Sequence, residues 1–302
     1  MSTANRKRNV PESKWKIQID DASTIRSIVE AVQNVVCRVT LKIVPAEGGD
    51  HYLRVDTADV AYTSCISVRL KLDSATLEEV DKEVRVCVDC KHVVPCLMNC
   101  GADRPIVIEG FDDRSTPKVR IRSDPELQSH ENVYELDTYV DTDDVQLFAM
   151  DFDLLMEIDL LLLRGILKSA QNAKADHIAI HIYLKEDGGK TFSHTAFTIC
   201  GEYTHRSSFC HLVVRDDDGS MVVRAAADSD ITMFDTDDLN AFYTGLFPVD
   251  KVAGFVKPLQ CRMITAHMKQ DMPVMFSHRI GGGADDNEYI RYLIAPINPD
   301  TD

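Results

Sequence analysis

The sequence predicts an α+β fold of two similar domains in tandem, each a succession of strands and short amphipathic helices. Three observations predict it: an internal duplication, a predominance of alternating segments, and four short amphipathic segments spread over the two halves. The stretch from Lys14 to Val44 reads as strand, helix and strand (KWKIQID, DASTIRSIVEAVQNVV, CRVTLKIV), and Leu154 to Leu184 repeats it (LLMEID, LLLLRGILKSAQNA, HIAIHIYL). The copies lie about 138 residues apart, nearly half of the 302-residue chain, and self-similarity at that spacing marks two domains built alike. With 44% hydrophobic residues the chain supports two cores of ordinary size.

Taken in order, residues 1–13 (MSTANRKRNVPES) are polar and aperiodic and read as a disordered tail, with NRKR as an alternative nuclear-import signal. The first domain spans 14–138. Its opening helix carries Ile25, Ile28, Val29, Val32 and Val36 at helical spacing, is capped by Asp20 or Asp21, and turns Arg26, Glu30 and Gln33 to the opposite side. Short helices also fit KHVVPCLMNC and FPVDKVAGFVK, while VRVCVDC, KVRIRS, FCHLVVRDDDGSMVVRAAA and PVMFSHRI alternate as half-buried strands, the third turning at Asp218-Gly219. A connector over 139–153 follows. The stretch Asp137–Asp153 holds six Asp together with Leu147, Phe148, Met150 and Phe152, and four large apolar side chains are expected to lie against a surface. The second domain spans 154–302. Its helix repeats the stripe at Leu163, Ile166, Leu167 and Ala170, with Arg164 at the place of Arg26 and with Lys168 and Gln171 on the exposed face.

The net charge is −16, from 49 acidic and 33 basic residues, which by itself argues against a nucleic-acid binder. Its distribution reverses that argument in part: the four helical segments together carry +4, so the rest of the chain carries −20. A mildly basic helix face backed by an acidic exterior can hold a phosphate backbone without reading bases. No secretory signal or membrane span is visible, since LLMEIDLLLL is broken by Glu157 and Asp159, and the expected setting is soluble and intracellular. Nine cysteines, an odd number, fit reduced thiols better than a disulfide framework.

No motif for catalysis emerges, and no cofactor is expected. Cys87, Cys90, Cys96 and Cys100 have zinc-like spacing, yet strand alternation and an i, i+4 helix pair account for them as buried thiols; a zinc-binding structural or redox protein is kept as the alternative of another class. His177 and His181 follow strand alternation, and Asp216-Asp217-Asp218-Gly219 lacks the downstream Glu of a calcium loop. Gly281-Gly282-Gly283 does not open a helix after a strand, which argues against a phosphate loop, and no nucleophile motif is present.

At this point the arrangement resembles the sliding DNA clamps of the proliferating cell nuclear antigen type, from about Trp15 to Pro296. The resemblance rests on STIRSIVEAV as the opening helix, on YELDTYVDTDDVQLF running into the connector, and on MPVMFSHRI followed by EYIRYLIAPI as the last hairpin. It implies the DNA clamp fold: duplicated strand-helix-strands units, helices lining an inner face and antiparallel sheets outside. It further implies a homotrimeric ring around double-stranded DNA, bound without sequence preference, that serves as a non-enzymatic processivity factor. Its partners would be a DNA polymerase, a clamp loader and repair proteins bearing short hydrophobic peptides. A nucleus, or the replication compartment of a large DNA virus, is the expected location.

Carried over residue by residue, the resemblance implies DNA-facing cations at Arg26, Lys91, Arg164, Lys168, Lys251 and Lys257, with Gln33, Cys96 and Asn99 where further cations are expected. It implies a partner-peptide pocket from Val55, Val60, Tyr62, Leu147, Phe148, Met150, Pro273, Ile294, Ala295 and Pro296. The implied subunit interface joins Asn132, Val133, Tyr134, Glu135 and Leu136 to Ser208, Phe209, Cys210, His211 and Leu212 of the next subunit. Asp59 stands where the family commonly has His, which points to peptides with basic flanks. A monomeric or dimeric factor of the same fold, holding DNA on an open basic face, is the alternative.

Overall fold

The computed structural model describes residues 12–46, 50–77, 82–101, 104–113, 116–123, 132–140, 145, 150–215, 220–224, 235–237, 239–280 and 288–297. Leu147, Phe148, the Asp218-Gly219 turn and the triple glycine lie outside them. Two compact units emerge: the first gathers Met1–Val29, Cys37–Arg54 and Leu70–Asp143, the second Glu30–Val36, Val55–Arg69 and Asp144–Asp302. The chain thus changes unit within the expected connector, but two short segments of the first half also group with the second unit.

The first half runs β1 (Trp15–Ile19), α1 (Ala22–Gln33), β2 (Arg38–Pro45), β3 (His51–Ala58), β4 (Ser64–Lys71), β5 (Ser74–Leu77), β6 (Val84–Asp89), α2 (Cys90–Cys100), β7 (Ile106–Asp113), β8 (Thr116–Ser123) and β9 (Val133–Asp137). A five-stranded antiparallel sheet in the order β5-β1-β7-β8-β9 forms its first layer, and β2 pairs with both β3 and β6. Alternation builds the core. Ile17 and Ile19 of β1, Ile106 and Ile108 of β7, and Val119 and Ile121 of β8 are buried, each such side chain contributing roughly 1.5–3 kcal/mol.

The second half runs β10 (Leu154–Asp159), α3 (Leu160–Asn172), β11 (His177–Asp187), β12 (Lys190–Cys200), β13 (Thr204–Arg215), β14 (Met221–Arg224), β15 (Tyr243–Pro248), α4 (Val249–Val256), β16 (Met263–Met268), β17 (Val274–Arg279) and β18 (Tyr289–Ile294). Its strands follow the order β15-β11-β12-β13-β14-β10-β16-β17-β18, and β4 adds to β18 over six residue pairs, Tyr289↔Arg69 to Ile294↔Ser64. That pairing explains why 55–69 belongs to the second unit. Ile178, Ile180 and Ile182 of β11 are buried, while His177, His181 and Tyr183 are only half-buried, as their alternation predicts.

The helices follow the expected stripes: Ile25, Ile28, Val29 and Val32 are buried on α1, and Leu163, Ile166, Leu167 and Ala170 on α3. The first helix stops at Gln33 rather than Val36. Asn34 ends it by donating from Nδ2 to the carbonyls of Glu30 (2.8 Å) and Gly254 (2.9 Å), and Val36 is half-buried beyond the end. A Cβ at Gly254 would meet the Asn34 side chain at 3.0 Å, so any larger residue there would press on Asn34.

Candidate functional site

The helix faces come first, because the DNA-facing residues were expected there. In the first unit, Arg26 is half-buried on α1, and Lys91 is exposed on α2 with its ammonium 3.1 Å from the Asp89 carboxylate. In the second unit, Lys168 of α3 and Lys257, just past α4, are exposed. Two expectations are corrected. Arg164 does not offer its charge outward: its Nη2 donates to the carbonyls of Val256 (3.3 Å), Lys257 (2.9 Å) and Leu259, closing the C-terminal end of α4, where a cation offsets the helix dipole. Lys251 is likewise engaged, on Asp59 at 2.8 Å. Beside Lys257 lies a groove of about 450 Å³ whose lining includes Glu30, Gln33, Asn34, Gln171 and Asp250, carboxylates and amides that add no positive field. The first turn of α3 instead exposes Leu161, 75% accessible, and Leu162.

The strand edges come second. On β9, residues Val133–Asp137 pair with Arg122–Lys118 of β8, and among the described residues the other side has no partner. A buried Arg120 sets that edge: it bonds Glu109 of β7 at 2.9 Å and Glu135 of β9 at 2.8 Å, and lies 4.3 Å over the Phe111 ring. Glu135 is therefore committed within its own unit through one carboxylate oxygen. Tyr134 and Leu136 are half-buried, and Asn132 donates to the Asn99 carbonyl at 3.1 Å. On β13, Thr204–His211 pairs only with β12 among the described residues, Leu212 and Val213 pair with both β12 and β14, and Val214 and Arg215 pair with β14. Ser208, Phe209 and His211 thus lie on a segment of β13 that pairs with β12 alone among the described residues. Leu212 does not, because Arg224 occupies its second side.

The expected peptide pocket comes third. Val60 is fully exposed and Tyr62 is 71% accessible, both at the tip of the β3–β4 hairpin; Met150, Pro273, Ala295 and Pro296 are half-buried. Val55 and Ile294 are fully buried core residues and offer no surface to a peptide, which corrects the expected lining. The connector is anchored at each end within its unit. The amide of Tyr139 donates to the Cys87 carbonyl at 2.9 Å while Arg38 lies 4.0 Å over the Tyr139 ring, and Phe152 packs on His267 with ring centroids 5.6 Å apart.

Cys87, Cys90, Cys96 and Cys100 are all buried, and the described residues contain no group of His, Cys, Asp or Glu arranged to hold a metal. Burial pushes the Cys90 thiol up to about 12 and Cys100 to about 11, which disfavours the thiolates that zinc requires. Among the described residues the zinc alternative finds no cluster to rest on. Among the described residues, no helix is long and apolar enough to cross a membrane.

The cap expected at Asp20 or Asp21 is Asp21, and the same signal, legible but not read from the sequence, recurs at Asp89 and Asp159: each Asp follows or closes a strand and caps the next helix. Asp21 accepts from the Ser23 amide at 2.8 Å, Asp89 from Lys91 at 3.0 Å and Asp159 from Leu161 at 2.8 Å. The duplicated unit is therefore strand, Asp, helix.

No protein-family model matches the sequence, and neither does any curated protein. Solved structures do match. The proliferating cellular nuclear antigen of Entamoeba histolytica superposes with a TM-score of 0.69 at 11% identity, over 95% of this chain and 100% of that one. That of Thermococcus kodakaraensis gives 0.68 at 13%, over 94% and 100%. The PCNA2–PCNA3 complex of Sulfolobus tokodaii gives 0.64 at 13%, over 93% and 98%. This chain has the sliding-clamp fold over nearly its whole length.

Proposed function

We propose that the chain is the subunit of a sliding clamp: a non-enzymatic ring of three copies that encircles duplex DNA and tethers a DNA polymerase and other replication and repair proteins. The observation that carries this reading is a pair of strand segments that are paired on one side among the described residues, β9 in the first unit and the first part of β13 in the second, on a chain of clamp fold. Such edges invite aggregation unless they are paired. A head-to-tail contact between two different patches closes into a ring when its rotation permits, and pairing the edges of successive copies satisfies both at once.

The charge distribution supports enclosure over attraction. The helix faces expose few cations, because Arg164 and Lys251 are used internally and Lys91 lies beside Asp89. An open monomeric factor would have to hold DNA by charge alone, and each neutralised phosphate adds only about one unit to the salt dependence of binding. Partners would dock at the second unit's hairpin tip, where Val60 and Tyr62 stand exposed, and along the connector through Leu147, Phe148 and Met150. Mass in solution tests the assembly: three copies of a 33.9 kDa chain give about 102 kDa, and a single 33.9 kDa species at micromolar concentration would contradict the ring.

A further inference from the structure

The β3–β4 hairpin ends in Asp59-Val60-Ala61-Tyr62-Thr63. Tyr62 has φ of 55°, a left-handed conformation that a bulky residue adopts only at a cost and that glycine or asparagine usually fills. Holding an exposed tyrosine there requires support, and Asp59 supplies it. Its Oδ1 accepts from the amides of Thr63 (2.7 Å) and Ser64 (3.3 Å), and its Oδ2 from the hydroxyls of Thr63 (2.7 Å) and Ser64 (2.9 Å). Lys251, from the first turn of α4, completes the set at 2.8 Å and also donates to the Thr63 hydroxyl. The base of the hairpin is tied in turn to the segment after β18, where the Ala295 amide donates to the Thr63 carbonyl at 2.9 Å. A carboxylate offers about four lone-pair sites, so five converging donors leave this one nothing for an incoming cation.

We propose that Asp59 is a positioning residue, with Lys251 as its counter-ion from α4, and that the pair holds the hairpin tip so that Val60 and Tyr62 meet the apolar anchors of a partner-protein segment. The inference rests on the docking reading above and reverses the sequence expectation that Asp59 selects basic flanks. Its effect is preorganisation: a tip fixed in advance loses less freedom when the partner binds. The partner segment is recognised here by apolar area, and Asp59 is indifferent to the sign of its flanking charges.

The test uses the full chain and a fluorescent synthetic peptide with one aliphatic and two adjacent aromatic residues in a neutral polar background, in versions flanked by lysines or glutamates. Anisotropy is measured for wild type, Asp59→Asn, Lys251→Met and the double variant. Each single change is expected to weaken the neutral peptide about fivefold to tenfold, and the double no more than the worse single, because both remove one unit. Val60→Ala, which leaves the Asp59 contacts intact, should cost clearly less affinity in the Asp59→Asn background than in wild type. Amide exchange at Thr63 and Ser64 should rise in Asp59→Asn whether or not peptide is present. The affinity ratio of lysine-flanked to glutamate-flanked peptide should be equal in wild type and Asp59→Asn; a ratio that collapses toward one in the variant shows Asp59 reading charge and overturns the proposal. Peptide affinity that is present but unmoved by both single changes overturns the positioning role alone. A wild type without peptide affinity overturns the docking reading itself, and the role with it.

Discussion

Asp21, Asp89 and Asp159 each accept donors from the first turn of the helix that follows them, and Arg164 closes the far end of another helix on its carbonyls. Charged side chains on the helical side of this protein therefore have structural employment before any DNA is considered. Replacing Arg164 with Met should lower stability by about 1–2 kcal/mol, since three carbonyls lose a charged donor, whereas Lys168→Met should stay within about 0.5 kcal/mol; urea denaturation checks both. Acid sensitivity also begins with single residues. Burial, helped by the Arg291 charge, lowers His267 to about 4, while an unfolded histidine titrates near 6.5. The unfolded chain thus takes up a proton that the folded chain refuses, and stability present above pH 6.5 falls as pH drops toward 4. Carboxylates act below that range. Burial alone would raise Glu109, but hydrogen bonds from Arg120 and Ser13 outweigh it and hold the carboxyl below its usual 4.5, so its contribution is complete above that value and is lost in stronger acid. Urea midpoints measured from pH 7 to 4 should decline, and His267→Gln should flatten that decline by on the order of 2 kcal/mol.

At the scale of elements, two features set function on the proposed reading: the exposed cations of the helices and the edges of β9 and β13. Reversing Lys168 and Lys257 to Glu should impair DNA-dependent polymerase stimulation while leaving the mass in solution unchanged; full stimulation would remove the helix face from the account. Tyr134→Arg or Ser208→Arg, each at a half-buried position of the strand segments in question, should shift the mass from about three subunits toward one with far-ultraviolet dichroism retained. The elements themselves were legible in the sequence because their signals are local. Alternation over HIAIHIYL and the stripe Leu163, Ile166, Leu167, Ala170 each place the core within one segment. The engagement of the cations was not legible. Lys251 meets Asp59 across 192 residues and Arg164 meets the Leu259 carbonyl across 95, and neither pairing leaves any trace in the spacing around its members. The same limit applies to Val55 within β3 and Ile294 at the end of β18: a hydrophobic strand residue reads equally well as core or as pocket, and only packing separates the two.

At the scale of the whole molecule, the duplication has a consequence that neither unit carries alone. Among the described residues each half contributes one strand segment that is paired on one side, β9 from the first and the first part of β13 from the second, so on the proposed reading every copy offers two different joining surfaces and head-to-tail closure becomes available. On the proposed reading the net charge of −16 acts as a selector: an acidic exterior would repel DNA, and a ring with few exposed cations on its helices would keep duplex by enclosure while sliding with little electrostatic drag. Topological enclosure is the central claim, and averaged electron-microscope images of the purified protein test it most directly. The account predicts a threefold ring with a central hole wide enough for duplex DNA; solitary compact particles of one subunit, or closed assemblies without a hole, would contradict it.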